Sequence, residues 1–183
     1  MRSSKFFTDI EAIRDHASHH ITQGAVTDGY QADREVVLDL LNQALATEIL
    51  CVLRYKQHYY MAKGPNAQSA AAEFAEHALE EQIHVDQIAQ RIVQLNGKPN
   101  FNPDGLSQRS HSQFVEGDSL LSMERADLIA ERIAIDSYRE MISYIGEKDP
   151  TTRRMLESIL AMEEQHAEDL VNLISVMEPE PVV

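Results

Sequence analysis

The sequence predicts an all-α protein, a bundle of four long helices arranged as two antiparallel hairpins with one long crossover between them. Glycine and proline breakers leave four long uninterrupted stretches. Within each stretch apolar residues recur every three or four positions, which places them on one face of a helix. The predicted helices cover residues 33–63, 66–96, 119–146 and 150–177.

The first helix follows a leader, residues 1–32, for which we expect a short helical segment. The tight turn at Gly64-Pro65 separates the first two helices, and the segment from Gly146 to Pro150 separates the last two. Short connections of this kind join antiparallel neighbours. Each predicted helix is close to thirty residues long, which corresponds to roughly 45 Å at about 1.5 Å per residue.

Residues 97–117 have a different composition, rich in Pro, Asn, Asp, Gly, Ser and Gln. A stretch of this length without helical periodicity is unusual inside a compact domain, but it is long enough to run the length of a bundle and join two hairpins. We therefore expect three regions: an N-terminal extension at 1–32, the four-helix bundle at 33–177 and a C-terminal tail at 178–183.

Composition narrows the possible functions. The 183 residues carry a net charge of −14, so the average field repels phosphate and argues against nucleic acid as a general partner. The N-terminus has no apolar core typical of a signal peptide, and no apolar run has the length of a membrane span, which favours a cytoplasmic protein without a membrane partner. Cys51 is the single cysteine, so an intrachain disulfide and a Cys-x-x-Cys site are excluded.

A glutamate interrupts the apolar stripe of every helix near its middle. The first stripe runs from Val37 to Tyr59, and the other stripes have the same 3-4-3-4 spacing. Ionised carboxylates facing a core cost several kcal/mol each unless they are paired or bound to metal. The four interrupting residues are Glu48, Glu81, Glu131 and Glu163.

Two of these glutamates have a histidine three residues later, one helical turn along the same face. The pairs are Glu81 with His84 and Glu163 with His166. In the first hairpin 33 residues separate the two glutamates, in the second 32, and each turn lies halfway between them. Antiparallel pairing therefore places all four glutamates and both histidines at one level.

Charge balance predicts a dinuclear metal site at this level. Four carboxylates and two neutral imidazoles would be neutralised by two divalent cations. Oxygen-rich ligation with one imidazole per ion favours iron or manganese, although zinc or cobalt could enter.

Several other residues allow two interpretations. Tyr55 and Tyr138 each follow a stripe glutamate by seven residues, so each is either a hydrogen-bond donor to a ligating carboxylate or an ordinary core tyrosine. His77 is either an accessory ligand or, as we favour, a core histidine. The leader histidines could bind metal on the surface, although a plain exposed helix is favoured there; they are His16, His19 and His20.

Four segments of the chain resemble bacterioferritins and their smaller Dps-like relatives, over about residues 33–177. They are Leu-Asn-Gln-Ala-Leu-Ala-Thr-Glu48, Glu80-Glu81-Gln-Ile-His84, Asp127-Leu-Ile-Ala-Glu131 and Met162-Glu163-Glu-Gln-His166. The resemblance implies a ferritin-like bundle with a ferroxidase centre that binds two iron ions per subunit. It implies oxidation of Fe²⁺ by O₂ or H₂O₂ and storage of Fe³⁺ in a hollow homo-oligomer. The residues implied for this centre are Glu48, Glu81, His84, Glu131, Glu163 and His166, with Tyr55 beside it.

Two departures from the family pattern bear on haem and on assembly. Bacterioferritins bind haem through a methionine directly after the first Glu of the Glu-x-x-His on the second helix, and Gln82 stands there, which argues against haem. Bacterioferritins also carry a short fifth helix, whereas this chain ends soon after Met177. A shell of twelve subunits is therefore expected in preference to one of 24.

Two other functions remain open. The same ligands could serve a dimanganese catalase-like or di-iron oxygenase-like enzyme. Alternatively, the protein could be a non-catalytic structural bundle or a DNA-compacting shell, although its charge and the lack of a lysine row near either terminus argue against DNA binding.

Overall fold

The computed structural model describes residues 9–178, which form six α-helices and no β-strand. The all-α bundle of two hairpins predicted from the sequence is confirmed. Residues 1–8 of the predicted extension and 179–183 of the predicted tail lie outside the described part. The helices are α1 Ile10–Ser18, α2 Arg34–Met61, α3 Ala67–Gln94, α4 Leu106–Arg109, α5 Leu120–Ile145 and α6 Pro150–Met177.

Local sequence accounts for where the long helices start and stop. The Asp33 side chain accepts a hydrogen bond from the backbone at the start of α2, and Ser119 forms a reciprocal capping box with Ser122 at the start of α5. Asp149 caps α6, with Pro150 at its first position, where a missing N–H costs nothing. Gly146 ends α5 with a φ of 52°, a backbone conformation that favours glycine.

The crossover, residues 95–119, is fastened to α2 at several heights. The backbone N–H of Asn100 donates to Asn42 Oδ1 at 2.8 Å, and that of His111 donates to Thr47 Oγ1 at 3.0 Å. Near the far end of α2, His58 Nε2 lies 3.0 Å from the carbonyl oxygen of Val115. These bonds hold the crossover along α2 and set the height of α5 relative to the first hairpin.

Two apolar clusters fill the bundle, and the buried glutamates lie mostly between them. The larger cluster surrounds Leu41, Ile88 and Leu156, and the smaller one surrounds Phe74 and Leu170. The stripe of α2 is one residue shorter than the sequence predicted, because Tyr59 is 40% exposed. That tyrosine lies in the last turn of α2, where the neighbouring residue His58 faces the interior instead and is fully buried.

One helix, Arg34–Met61, is long and apolar enough by composition to cross a membrane, but 56% of its apolar window is buried inside the bundle. Packing against the other helices accounts for that apolar composition. The apolar window also contains Glu48, the central glutamate of α2, so it is not an uninterrupted apolar segment.

The leader packs against one end of the bundle. Tyr30 donates a hydrogen bond to Asp149 Oδ2 at 2.9 Å, and Arg91 forms an ion pair with the same carboxylate at 2.9 Å. Asn96 donates to the carbonyl oxygen of Gln23 at 2.8 Å. Helix α1 itself contributes no buried residue, so the connection to the bundle runs through the segment after it.

Candidate metal centre

Six polar side chains from the four long helices meet in the middle of the bundle, each at most 5% exposed. Helices α2 and α5 each supply one carboxylate, and α3 and α6 each supply one carboxylate and one imidazole. The structure therefore brings together every side chain that the sequence indicated as a metal ligand. These residues are Glu48, Glu81, His84, Glu131, Glu163 and His166.

The six side chains form two overlapping groups, and in each group the donor atoms lie within 4.8 Å of one another. Glu81 and Glu163 belong to both groups, so each can bridge two ions. The first group consists of Glu48, Glu81, His84 and Glu163. The second group consists of Glu81, Glu131, Glu163 and His166.

Each imidazole points its Nδ1 at the shared carboxylates. His84 Nδ1 lies 3.0 Å from Glu163 and 3.4 Å from Glu81. His166 Nδ1 lies 3.4 Å from the other oxygen of Glu163 and 3.5 Å from that of Glu81. The outer nitrogen of His166, Nε2, is 2.8 Å from Glu80 Oε2. A carboxylate on the outer nitrogen fixes the ring and makes the inner nitrogen a better ligand.

Unpartnered buried atoms show that this donor set fits metal ions. Within residues 9–178, neither side-chain oxygen of Glu81 or Glu163 has a hydrogen-bond partner, and the same holds for Glu131 Oε2 and His166 Nδ1. Buried polar atoms without a partner are rare and costly. Two divalent cations at this level would ligate these atoms and balance the four carboxylates.

Two tyrosines connect the hairpins at the centre. The hydroxyl of Tyr55 donates to Glu131 Oε1 at 2.5 Å, and the hydroxyl of Tyr138 donates to Glu48 Oε1. Each phenol thus binds the glutamate of the opposite hairpin, and the second oxygen of that glutamate faces the centre. Glu48 Oε2 lies there 3.3 Å from His84 Nδ1. Both tyrosines are at most 2% exposed.

The carboxyl pKa values diverge strongly. Burial and the negative charge of Glu81 raise the pKa of Glu48 to about 8, and burial together with Glu48 and Glu131 raises that of Glu163 to about 8. Burial would also raise the pKa of Glu131, but the nearby imidazole of His166 and other neighbours lower it to about 2. One carboxylate is thus ionised outright while two hold protons near neutral pH.

The pKa values of both imidazoles are raised. Burial would lower the pKa of His84, but its carboxylate neighbours outweigh that effect and raise the pKa to about 12. The pKa of His166 is raised well above its usual range for the same reason. Without metal, protons on these groups neutralise the centre; divalent cations would have to displace them.

A buried ionic network lies one turn from the centre and was not predicted from the sequence. Arg54 Nε lies 2.6 Å from Asp127 Oδ1, and His58 Nδ1 lies 2.8 Å from Asp127 Oδ2. All three side chains are fully buried. Asp127 is four residues before Glu131, a spacing that puts it on the inward face of α5. That Arg54 of α2 meets it depends on how the two hairpins pack, which the spacing does not show.

Two further buried groups lie near the centre. His77 is 1% exposed and stacks on His166 with ring centroids 4.1 Å apart. Burial, together with the charge of His166, lowers the pKa of His77 to about 4, so its imidazole is neutral. Glu124 is fully buried, and neither of its oxygens has a partner among the described residues. Burial and the charge of Asp127 raise the pKa of Glu124 to about 8.

The remaining residues singled out in the sequence lie apart from the centre. The leader histidines are exposed, and His19 Nδ1 is 2.8 Å from Asp28. Gln82 is exposed and donates to Asp86 Oδ1 at 3.1 Å. Cys51 is a buried member of the smaller apolar cluster.

Comparison with known proteins identifies the family. The model of the ferritin-like domain matches residues 38–178. The chain belongs to the ferritin-like family. This ferritin-like chain is 32% identical to the bacterioferritin of Mycobacterium avium over 149 residues, which cover 81% of the chain and 89% of that relative.

Solved structures agree with that assignment. The ferritin-like chain superposes on a dodecameric thioferritin, the bacterioferritin-related protein from Bacteroides fragilis, with a TM-score of 0.78 and 30% identity over 80% of this chain and 89% of that one. Dps from Thermosynechococcus elongatus shares the fold, with a TM-score of 0.74 and 20% identity over 76% and 90% of the two chains. At family level these relatives support a role in iron storage.

Proposed function

We propose that this ferritin-like protein is a ferroxidase that oxidises Fe²⁺ at a dinuclear centre and stores the Fe³⁺ inside a hollow homo-oligomer. One observation carries the proposal: the two ligand groups share Glu81 and Glu163, whose four oxygens have no hydrogen-bond partner among residues 9–178. Two carboxylates would bridge the ions, and each ion would have one further carboxylate and one imidazole. This donor set is suited to a pair of iron ions.

The protein residues have distinct parts in this chemistry. Glu48 with His84 and Glu131 with His166 would each hold one Fe²⁺, and the bridging carboxylates would hold the two ions side by side. Bound there, two Fe²⁺ supply one electron each. With H₂O₂ as acceptor, the O–O bond breaks and two protons complete two water molecules. Delivering both electrons at one place avoids release of hydroxyl radical.

The tyrosines and the outer carboxylate serve to position the ligands. Tyr55 and Tyr138 fix one oxygen of each terminal glutamate, so that the other oxygen is presented to an ion. Glu80 holds His166 by its outer nitrogen. Partners of this kind orient ligands and raise their basicity.

We propose a shell of twelve subunits for the assembly, with 24 as the alternative, in the cytoplasm. The related protein from Bacteroides fragilis is described as dodecameric, and this chain covers 89% of that protein's length. O₂ and H₂O₂ are both candidate oxidants, and Mn²⁺ or Zn²⁺ are candidate substitutes for iron.

Aerobic loading with Fe²⁺ tests the proposal. We expect rapid formation of Fe³⁺ and a large particle that gains a ferric core, measured by absorbance and by size and iron content after loading. Glu163→Gln should abolish the rapid phase because it removes a bridging charge. The matched control, Glu164→Gln, alters an exposed neighbour and should leave the rapid phase intact.

Two results would overturn the proposal. The first is an Fe²⁺ oxidation rate equal to that of buffer alone. The second is protein purified with manganese that evolves O₂ from H₂O₂, which would favour the dimanganese catalase-like alternative.

A further inference from the structure

A second cluster of potential ligands lies between α3 and α6, outside the dinuclear centre. His77 Nε2 is 3.3 Å from Glu73 Oε1 and 3.9 Å from Asp169 Oδ2. The three residues can offer ligand atoms that all lie within 4.8 Å of one another. The two carboxylates are partly exposed, with side-chain exposures of 27% and 31%, so the cluster opens to solvent.

The state of His77 distinguishes this cluster from an ordinary acidic surface. The ring is 1% exposed, and within the described part of the chain its Nδ1 has no hydrogen-bond partner. A buried imidazole normally makes hydrogen bonds. Here the ring is held instead by aromatic contacts, stacked on His166 at 4.1 Å and edge-on to Tyr55 at 5.2 Å. Its Nε2 is directed at two carboxylates of adjacent helices.

The cluster is also continuous with the centre. His77 belongs to another group of donor atoms within 4.8 Å of one another, together with Glu80 and His166. Potential ligands therefore follow one another from the partly exposed Glu73 and Asp169, past His77 and Glu80, to His166.

We propose that Glu73, His77 and Asp169 form a third divalent-metal site, at which Fe²⁺ is captured before it passes inward to the dinuclear centre. One imidazole and two carboxylates are typical ligands of Fe²⁺, Mn²⁺ and Zn²⁺ and leave positions for water. An ion that keeps water ligands is weakly held and can move on. The role in delivery rests on the proposed ferroxidase function, whereas the site itself does not.

Zn²⁺ is a redox-inert probe for the site. Crystals of the assembled protein soaked in Zn²⁺ should show an anomalous peak roughly 2.0–2.1 Å from His77 Nε2, in addition to two peaks at the dinuclear centre. In Asp169→Asn the peak beside His77 should disappear and the other two should remain. In the control Glu168→Gln, which changes an exposed neighbour, all three should persist.

Kinetics test delivery separately. In stopped-flow measurements, Asp169→Asn should raise the Fe²⁺ concentration needed for half-maximal oxidation roughly tenfold, within the range for lost ligand support, with the maximal rate unchanged. Zn²⁺ peaks at the dinuclear centre without a peak beside His77 would overturn the proposed third site. An unchanged Fe²⁺ concentration for half-maximal oxidation would overturn its role in delivering Fe²⁺ to the centre. Peaks beside His77 but none at the centre would support the site and count against the ferroxidase function.

Discussion

Replacing Glu48 with glutamine should stabilise the metal-free protein and weaken metal binding. The carboxyl pKa of Glu48 is raised to about 8 by burial and by Glu81, from an ordinary value of 4.5. A raised carboxyl pKa means that the folded state binds this proton more tightly than the unfolded state. The contribution of this proton to the free energy of unfolding is fully present below pH 4.5 and is lost as pH rises to about 8.

The size of the effect follows from these values. At pH 7 the loss extends over about 2.5 pH units, and at about 1.4 kcal/mol per unit it amounts to roughly 3 kcal/mol. At pH 5 the loss is below about 1 kcal/mol. Glutamine has the shape of the protonated carboxyl and can still accept the hydrogen bond from Tyr138, so Glu48→Gln should avoid this loss at both pH values.

Calorimetry of chelator-treated protein at equal subunit concentration measures the difference. For a chain of this size, about 3 kcal/mol corresponds to roughly 6–12 °C in Tm at pH 7, and the gain should shrink at pH 5. With excess Zn²⁺ the order should reverse, because the variant has lost a ligand charge. Glu168→Gln, on the exposed face of α6, is the control and should show no such gain.

A Tm difference between Glu48→Gln and the parent that does not change between pH 5 and pH 7 would refute this reasoning. Equal Zn²⁺ stabilisation of the two proteins would do the same. Either result would mean that the buried carboxylates are accommodated by something other than protons and metal ions.

Two further predictions concern the partners of the centre. Asp127→Asn should cost about 3–5 kcal/mol in urea unfolding because it leaves the buried Arg54 without a counter-charge, and adding Arg54→Met should recover part of that loss; a loss below about 1 kcal/mol would contradict this account. Tyr138→Phe should keep the fold but weaken Zn²⁺ binding roughly 10- to 100-fold in calorimetric titration, because Glu48 loses its hydrogen-bond donor. Tyr60→Phe, at a side chain 79% exposed, is the control, and equal affinities of the two variants would exclude this role.

The helices were predictable because their signals are local. The first helix was expected at 33–63 and spans Arg34–Met61, and the last was expected at 150–177 and spans Pro150–Met177. Glycine, proline and capping residues mark such ends in sequence. Equal spacing of the glutamates about each turn then predicted that they would lie at one level, since antiparallel pairing depends only on counting residues along each helix.

Features that depend on how the hairpins are rotated against each other were not predictable. The sequence placed Tyr55 near the centre but could not show that it binds Glu131 rather than a glutamate of its own hairpin. The Arg54–Asp127 pair was overlooked because each residue resembles a surface charge when its helix is considered alone. Tyr59 fitted the apolar spacing, but in the last turn of α2 the inward position is taken by His58, and Tyr59 is 40% exposed.

The crossed tyrosine bonds have a consequence for the origin of the bundle. Each hairpin contributes one glutamate, one tyrosine and one Glu-x-x-His, and the bonds from Tyr55 to Glu131 and from Tyr138 to Glu48 are exchanged about an approximate two-fold axis. A single hairpin of this kind lacks only a second copy of itself to complete the centre. The arrangement is therefore that expected of a duplicated gene, in which the crossover has turned a pairing between two chains into one within a single chain.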